Sequence, residues 1–183
     1  GGGIAIAIAW FAGLTFFFIT KKIESLLFYA LLSGLPLVLV GFADDIFTLS
    51  PRIRFIVQAL CALFGLFFLG GLESLAFGSK ELSLSLLLTP IAFISIIWAI
   101  NLFNFLDGID GYIGTEVVFI GLSVYLLTGD LIGLLLAAAT LGFLFWNWEK
   151  AKIFMGDVGS TLLGYNVAIM AIYHQNNHIS NVP

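Results

Sequence analysis

Long apolar stretches separated by short polar segments run through the whole chain. A helix needs about 20 mostly apolar residues to cross the ~30 Å hydrocarbon core of a bilayer. The strands of a membrane barrel would alternate polar and apolar residues over roughly ten positions, whereas these stretches are continuously apolar. The pattern predicts an all-α, polytopic transmembrane helix bundle of about seven spans. The predicted spans are residues 3–19, 25–43, 55–72, 82–100, 112–129, 131–148 and 158–174.

Alternating helices place successive connections on opposite faces of a bundle. The connections on one face are residues 43–54, 101–111 and 149–157, and those on the other are 20–24, 73–81 and 129–130. Five of the six aspartates fall on the first face, and Asp130 alone falls on the second. We call the first face the aspartate face. Such one-sided clustering indicates chemistry at this end of the bundle.

The composition agrees with a membrane protein. The 183 residues are 61% hydrophobic and include 7 Lys or Arg and 11 Asp or Glu, whereas soluble domains are roughly 45–50% apolar and about 25% charged. This balance excludes a soluble enzyme, a disordered tail and a nucleic-acid-binding protein. The single cysteine, Cys61, excludes an internal disulfide framework and a Cys-rich metal site.

The chain is interpreted as one integral-membrane domain over residues 1–183, and as a fragment or a processed chain, because it begins Gly1-Gly2-Gly3 without a methionine. Its first apolar stretch lacks the basic segment and cleavage site of a signal peptide. Four basic residues lie on the aspartate face and three on the other. This small excess favours a cytoplasmic aspartate face.

The first polar segment of the aspartate face contains adjacent carboxylates at Asp44 and Asp45. Two such groups repel each other at a membrane boundary and require a cation, a proton or a basic partner. One interpretation is a metal or phosphate site. The other is a solvated loop in which Arg52 and Arg54 anchor the chain at the interface.

In the second polar segment, polar side chains recur every three residues at Asn101, Asn104, Asp107 and Asp110. On an ideal helix each step of three turns by 300°, so the four groups converge on one ligand only if the backbone is irregular. Gly108 and Gly111 permit such a break. Amide and carboxylate oxygens are hard ligands suited to Mg²⁺ or Mn²⁺.

In the third polar segment, Asp157 lies where a new span begins. A helix N-terminus offers free amide groups and a positive dipole end, which bind phosphate or stabilise a carboxylate. Asp157 alone would also fit a simple helix cap.

These three segments, GFADDIFTLSPRIR, NLFNFLDGIDG and AKIFMGDVGSTLLG, resemble in order and wording the polyprenyl-phosphate N-acetylhexosamine-1-phosphate transferases. The opening GGGIAI resembles the end of that family's Pro-Arg-Gly-Gly-Gly segment. The resemblance covers essentially the whole chain, and the wording is most similar to the branch that initiates O-antigen synthesis.

The resemblance implies roles for individual residues. Asp44 and Asp45 match the paired aspartates that activate or orient the lipid phosphate, with Asp45 also supporting the metal. Asp157 matches the principal Mg²⁺ ligand, and Asn104 matches an asparagine near the metal. The residues expected to bind substrate are Asn101, Asp107, Asp110, Asn147, Phe154, Arg52, Arg54 and Lys152. Of these, Asp107 and Asp110 are on the nucleotide side, and Phe154 matches an aromatic residue that stacks on uracil.

The implied activity is transfer of a sugar-1-phosphate, of the N-acetylhexosamine type, from a UDP-sugar to undecaprenyl phosphate, with release of UMP. This is the first membrane step of cell-surface polysaccharide synthesis, at the cytoplasmic side of the bacterial plasma membrane. The implied cofactor is Mg²⁺, with Mn²⁺ as an alternative. A homodimer is compatible with the resemblance. The resemblance also implies that the chain is incomplete at both ends, because the family has an earlier span, further later spans and a His-x-His loop. His174 and His178 do not match that loop, since they lie on the opposite face.

Three other classes of protein fit the sequence less well. A cation-coupled membrane transporter would place its acids near the middle of spans, and these acids lie at span ends. A CDP-alcohol phosphotransferase needs an Ala-Arg soon after its Asp-Gly, but Asp107-Gly108 is followed by Ile109-Asp110. An intramembrane aspartyl protease needs two aspartates inside facing spans, whereas Asp157 lies at a boundary.

Overall fold

The computed structural model describes residues 1–77, 80–82 and 84–177. Within these residues the chain forms eight helices and one antiparallel pair of short strands. The helices are α1 (Gly3–Ile19), α2 (Ser25–Leu32), α3 (Leu35–Phe47), α4 (Pro51–Leu69), α5 (Ser85–Leu106), α6 (Tyr112–Thr128), α7 (Leu131–Asn147) and α8 (Gly156–Asn176). The strands are β1 (Leu75–Phe77) and β2 (Lys80–Leu82), with Leu75 opposite Leu82.

The predicted helical membrane bundle is confirmed. Helices α2 and α3 together form one crossing, interrupted at Ser33 and Gly34, where a Cβ on Gly34 would lie 2.7 Å from the Tyr165 ring. The boundaries of three predicted spans were wrong. The predicted span 55–72 is helix α4, which begins at Pro51 and ends at Leu69. Helix α3 continues to Phe47, so Asp44 and Asp45 lie in its last turns and not in a loop. The predicted span 82–100 begins instead at Ser85 and continues to Leu106.

In the described part of the chain, three helical segments are long and apolar enough to cross a membrane: Ser25–Phe47, Pro51–Leu69 and Ser85–Leu106. Helices α1, α6 and α7 are apolar and have 17 residues each. At 1.5 Å per residue such a helix is about 25 Å long, which is near the lower limit for a span.

Helix α8 is the central helix of the bundle and packs against α1, α3, α4 and α5. Most of its side chains are buried, including the polar Ser160 and Asn166. Close packing depends on glycine: a Cβ on Gly41 would lie 2.7 Å from the Val158 amide nitrogen, and one on Gly164 would lie 2.7 Å from the Ala99 carbonyl oxygen. Small residues let helix backbones approach in this way, which increases van der Waals contact between membrane helices.

The alternation predicted from the sequence is also confirmed, because the two ends of α8 contact different sets of connections. At its beginning, the amide nitrogens of Gly2 and Gly3 donate to the carbonyl oxygens of Phe154 and Met155, at 2.8 and 3.0 Å. At its other end, Asn176 Nδ2 donates to the carbonyl oxygens of Leu69 and Gly71. Asp130 lies at this second end, beside His174. His178 lies outside the described residues.

Candidate active site

Asp157 occupies the second position of α8, where the positive end of the helix dipole stabilises a carboxylate. The residue before it, Gly156, has a positive φ of 69°, a conformation that glycine adopts without steric cost. A Cβ on Gly156 would lie 3.1 Å from Asp45 Oδ2. The missing side chain therefore allows the Asp45 carboxylate to approach the beginning of α8, next to Asp157.

Arg54, in the first turn of α4, joins two carboxylates from different helices. Its Nη1 lies 3.1 Å from Asp44 Oδ2 and 3.4 Å from Asp157 Oδ2. The other Asp44 oxygen accepts a hydrogen bond from the Leu49 amide nitrogen, just beyond the end of α3. The guanidinium group is thus the basic partner that a cluster of neighbouring acids requires.

Asn104, in the last turn of α5, holds Asp157 from the other side. Its Nδ2 donates to Asp157 Oδ1 at 2.8 Å and to Ser160 Oγ at 3.0 Å. Ser160 Oγ in turn donates to the Gly156 carbonyl oxygen at 3.0 Å. Asp157 is therefore fixed between an amide donor on one oxygen and a guanidinium group on the other.

Arg54, Asn104 and Asp157 lie on a cavity of about 340 Å³ between α3, α4, α5 and α8, which we call the central cavity. Its lining residues are Leu37, Val40, Gly41, Pro51, Arg54, Phe55, Gln58, Asn101, Asn104, Asp157 and Thr161. Charged groups and apolar side chains thus share one cavity. Such a surface suits a ligand that has an ionic group attached to a hydrocarbon chain.

The structure places the four groups of the second polar segment at more than one position. Helix α5 is continuous through Asn101 and Asn104, and the irregular backbone begins only after it, at Asp107. Asn101 and Asn104 line the central cavity. Asp110 lies elsewhere: its Oδ2 accepts from the Ala151 amide nitrogen at 2.9 Å.

Asp110 lines a second cavity, of about 580 Å³, which we call the α6 cavity. Its lining residues are Ile109, Asp110, Gly111, Tyr112, Thr115, Glu116, Phe119, Trp148 and Glu149.

Phe154, in the loop before α8, has an exposed side chain, as stacking on a planar ring requires. Arg52 is exposed, and Lys152 Nζ lies 5.6 Å from the centre of the Trp146 ring.

Asn147 was predicted to contact substrate. In the structure it is 4% exposed and has a structural role. Its Oδ1 accepts from the Gly111 amide nitrogen at 3.0 Å, and its Nδ2 donates to the Ile153 carbonyl oxygen at 2.9 Å. It therefore ties the beginning of α6 to the loop before α8, and it positions both without lining the central cavity.

Asp107 caps the end of α5 and is half-buried. Burial raises the pKa of its carboxyl group to about 6, the backbone N–H of Gly156 partly opposes this shift, and the charge of Asp157 adds to it. Asp107 therefore belongs electrostatically to the same cluster as Asp157.

Two polar residues at the site are not among the site residues predicted from the sequence, although the spacing of Gln58 from Arg54 indicated a hydrogen bond within the bundle. Gln58 exchanges hydrogen bonds with Asn101, and Ser160 accepts from Asn104. The available signal was helical spacing, since Gln58 lies four positions after Arg54 and Ser160 three positions after Asp157. Residues so spaced share one helix face.

The side chains around Asp157 include several oxygen donors of the kind that a metal ion requires. Among the described residues, no group of three or more His, Cys, Asp or Glu side chains is arranged to hold a metal ion. Mg²⁺, however, usually binds one or two carboxylates and takes its other ligands from water and substrate phosphates. The carboxylates of Asp157 and Asp45 and the amide oxygen of Asn104 are such hard donors, so the residues fit this group.

The fold and the site together define a multi-pass helical membrane protein with an acidic polar site at one end of its bundle. Residues 27–175 match the model of glycosyl transferase family 4. The chain belongs to this family, and the family relationship inferred from the three polar segments is confirmed.

Curated relatives carry transferase names. The chain is 32% identical over 183 residues to a probable undecaprenyl-phosphate N-acetylglucosaminyl 1-phosphate transferase of Bacillus subtilis (strain 168), covering 93% of this chain and 50% of the relative. It is 35% identical over 184 residues to an undecaprenyl-phosphate alpha-N-acetylglucosaminyl 1-phosphate transferase of Yersinia pestis, covering 90% and 48%.

A third relative has a different transferase name. The chain is 31% identical over 156 residues to a phospho-N-acetylmuramoyl-pentapeptide-transferase of Wolbachia pipientis wMel, covering 73% of this chain and 48% of the relative. The chain spans about half the length of the curated relatives it matches.

Proposed function

We propose that this protein transfers a sugar-1-phosphate from a UDP-sugar to undecaprenyl phosphate and releases UMP. The observation that carries the proposal is the central cavity, where Arg54, Asp157 and Asn104 adjoin apolar side chains at one end of a membrane bundle. One substrate would be anchored in the bilayer and the other would come from the aqueous phase, so the reaction requires a site at a membrane face. The names of the curated relatives support the same reaction.

The proposed chemistry forms one bond and breaks another. An oxygen of the lipid phosphate attacks the phosphorus nearest the sugar, and the bond from that phosphorus to the bridging oxygen breaks, so that UMP leaves with that oxygen. Phosphoryl transfer of this kind depends on positioning and on charge stabilisation. In this scheme Arg54, on the central cavity, attracts a phosphate oxygen, and Asp45, beside the beginning of α8, accepts a proton from the lipid phosphate.

We further propose that Asp157, Asp45 and the amide oxygen of Asn104 hold Mg²⁺, or Mn²⁺ in its place. Bound there, the ion would offset the negative charge of the diphosphate. Asn104 and Arg54 keep Asp157 in place from opposite sides, which limits its motion.

The nucleotide is proposed to lie toward the loop before α8. Phe154 has the exposed ring that stacking on uracil needs, and Asp110 and Asn147 fix the loop that carries it. A UDP-N-acetylhexosamine is the proposed donor class. The excess of one basic residue on the aspartate face supports a cytoplasmic site in the bacterial plasma membrane.

The test is release of UMP by the full-length gene product in detergent, with undecaprenyl phosphate, Mg²⁺ and a panel of UDP-N-acetylhexosamines. UMP and a lipid-linked sugar should appear together, and both should require the lipid. A folded Asp157→Asn variant should lose at least about 100-fold in rate, as expected when a group that acts in the transition state is removed. Wild-type protein that consumes none of these donors, or undiminished turnover by Asp157→Asn, would overturn the proposal.

A further inference from the structure

Gln58 lies on the central cavity with its side-chain orientation fixed by its neighbour Asn101. The Ile97 carbonyl oxygen only accepts hydrogen bonds, so the Asn101 atom 2.8 Å from it is the amide nitrogen. The second hydrogen of that nitrogen points to a Gln58 atom 2.8 Å away, which must therefore be the oxygen Oε1.

This arrangement turns the Gln58 amide nitrogen into a donor for the cavity. Nε2 carries two hydrogens, and its contact with Asn101 Oδ1 is 3.5 Å, at the outer limit of hydrogen bonding. Gln58 is 92% buried and yet lines the cavity. The protein therefore leaves most of the hydrogen-bonding capacity of the buried Nε2 group unused. A buried donor forms its strongest hydrogen bond with a charged acceptor.

The position of Gln58 indicates which acceptor fits. Helix α4 runs away from the aspartate face, so Gln58 lies about 6 Å deeper than Arg54 on the same side of the helix. The apolar side chains of Leu37, Val40 and Phe55 share the cavity with it. A phosphate next to a hydrocarbon chain meets both requirements, whereas a nucleotide diphosphate is followed by polar sugars.

We propose that Gln58 donates a hydrogen bond from Nε2 to the phosphate of the lipid substrate, with Asn101 fixing its orientation. This proposal rests on the proposed function and adds the residue that recognises the lipid monophosphate. Gln58 is a binding residue in this scheme, and Asn101 is a positioning residue.

The test uses steady-state kinetics of the full-length gene product with the lipid phosphate and the UDP-sugar varied separately. Gln58→Leu should raise KM for the lipid phosphate about tenfold or more, as expected for a lost hydrogen bond to a charged group. KM for the UDP-sugar should stay within about twofold. Leu60→Ala, on the outer side of the same helix where Leu60 is exposed, is the matched control and should change neither constant.

A double variant separates binding from a merely structural role. Replacing both members of a hydrogen-bonded pair by apolar groups of similar size is nearly neutral for folding. If the pair only stabilised the bundle, Gln58→Leu with Asn101→Leu would therefore recover activity, and the proposal would be wrong. The proposal expects KM for the lipid phosphate in the double variant to stay above that of Asn101→Leu alone, which separates the Gln58 donor from any contact of Asn101 with substrate.

A direct binding measurement keeps the proposal testable apart from turnover. Native mass spectrometry of the wild type should show binding of a polyprenyl monophosphate in preference to the matching polyprenol, and Gln58→Leu should lose about tenfold of that preference. An unchanged preference would overturn the inference about Gln58 even if the transferase reaction is confirmed. A wild type that turns over none of the tested donors and yet shows this preference, dependent on Gln58, would overturn the proposed function alone.

Discussion

Asn104 and Asp157 are joined by a hydrogen bond of 2.8 Å across 53 positions of sequence. The bond connects the end of α5 with the beginning of α8, and so it sets the orientation of the carboxylate at the centre of the site. A hydrogen bond to a charged group contributes about 1.5–3 kcal/mol.

Replacing Asn104 by leucine should therefore lower kcat/KM by roughly 10- to 100-fold, because Asp157 loses the donor that orients it. The measurement is UMP release by purified protein. Phe105→Leu is the control, because Phe105 is adjacent in sequence but 80% exposed on the outer side of α5. Equal activity of the two variants would contradict the assigned role of Asn104.

Arg54 and Arg52 provide a matched pair of basic residues on one helix turn. Arg54 contacts both Asp44 and Asp157, whereas Arg52 is exposed and has no ion pair among the described residues. We expect Arg54→Met to reduce turnover at least tenfold more than Arg52→Met, because only the former leaves two carboxylates without their cation. The thermal midpoint should fall only slightly, since a partly exposed ion pair contributes about 1 kcal/mol or less. Similar losses in both variants would argue against this ion pair.

Gly41 and Gly142 test the close packing of α3 on α8. A Cβ at Gly41 would lie 2.7 Å from the Val158 nitrogen, which is backbone and cannot rotate away, so Gly41→Ala must separate the helices. The overpacking should cost roughly 1–3 kcal/mol and displace Asp44 and Asp45 from Asp157. At Gly142 a Cβ would meet no described atom within 4 Å, so Gly142→Ala should be neutral or stabilising. Thermal unfolding and turnover of the two variants are compared, and a stable, active Gly41→Ala would refute the packing argument.

Asn147→Leu should destabilise the protein, because it leaves the buried Gly111 amide nitrogen and Ile153 carbonyl oxygen without their partner. Each unsatisfied buried group costs roughly 1–3 kcal/mol. Thermal unfolding in detergent gives the loss directly, and hydrogen exchange should increase first in the loop before α8. An unchanged melting temperature combined with a raised KM for the UDP-sugar would instead favour direct contact of Asn147 with substrate.

Asp107 gives a pH dependence with a definite sign. Its folded-state pKa of about 6 lies above the ordinary value of 3.8, so between these values the folded state holds a proton that the unfolded chain has lost. Its contribution to stability is therefore complete below about pH 4 and is lost as the pH rises through about 6. Asp107→Asn should match the wild type in thermal stability at acidic pH and exceed it at pH 7.5, as followed by tryptophan fluorescence. A difference that does not change with pH would show that the Asp107 carboxyl does not titrate in this way.

Helical spans and their alternation were predictable from sequence because membrane insertion depends on local hydrophobicity, which each segment carries by itself. Alternation then brought Asp44, Asp107 and Asp157 to one end without any knowledge of packing. Span ends were less predictable. The charges of Asp44 and Asp45 predicted a loop, but α3 continues through both residues. The helix can continue because Asp44 forms an ion pair with Arg54 and accepts a hydrogen bond from the Leu49 amide nitrogen.

The sequence alone was enough to predict the class of protein, the family and the end of the bundle at which the candidate site lies. The tertiary structure alone decided which groups meet: Arg54 lies between Asp44 and Asp157, Asn101 orients Gln58, and Asn147 fixes a loop. The physical reason is that side-chain contacts between helices depend on their rotation and depth. Those are set by close backbone approaches, such as that of Gly41 to Val158, between residues far apart in the chain.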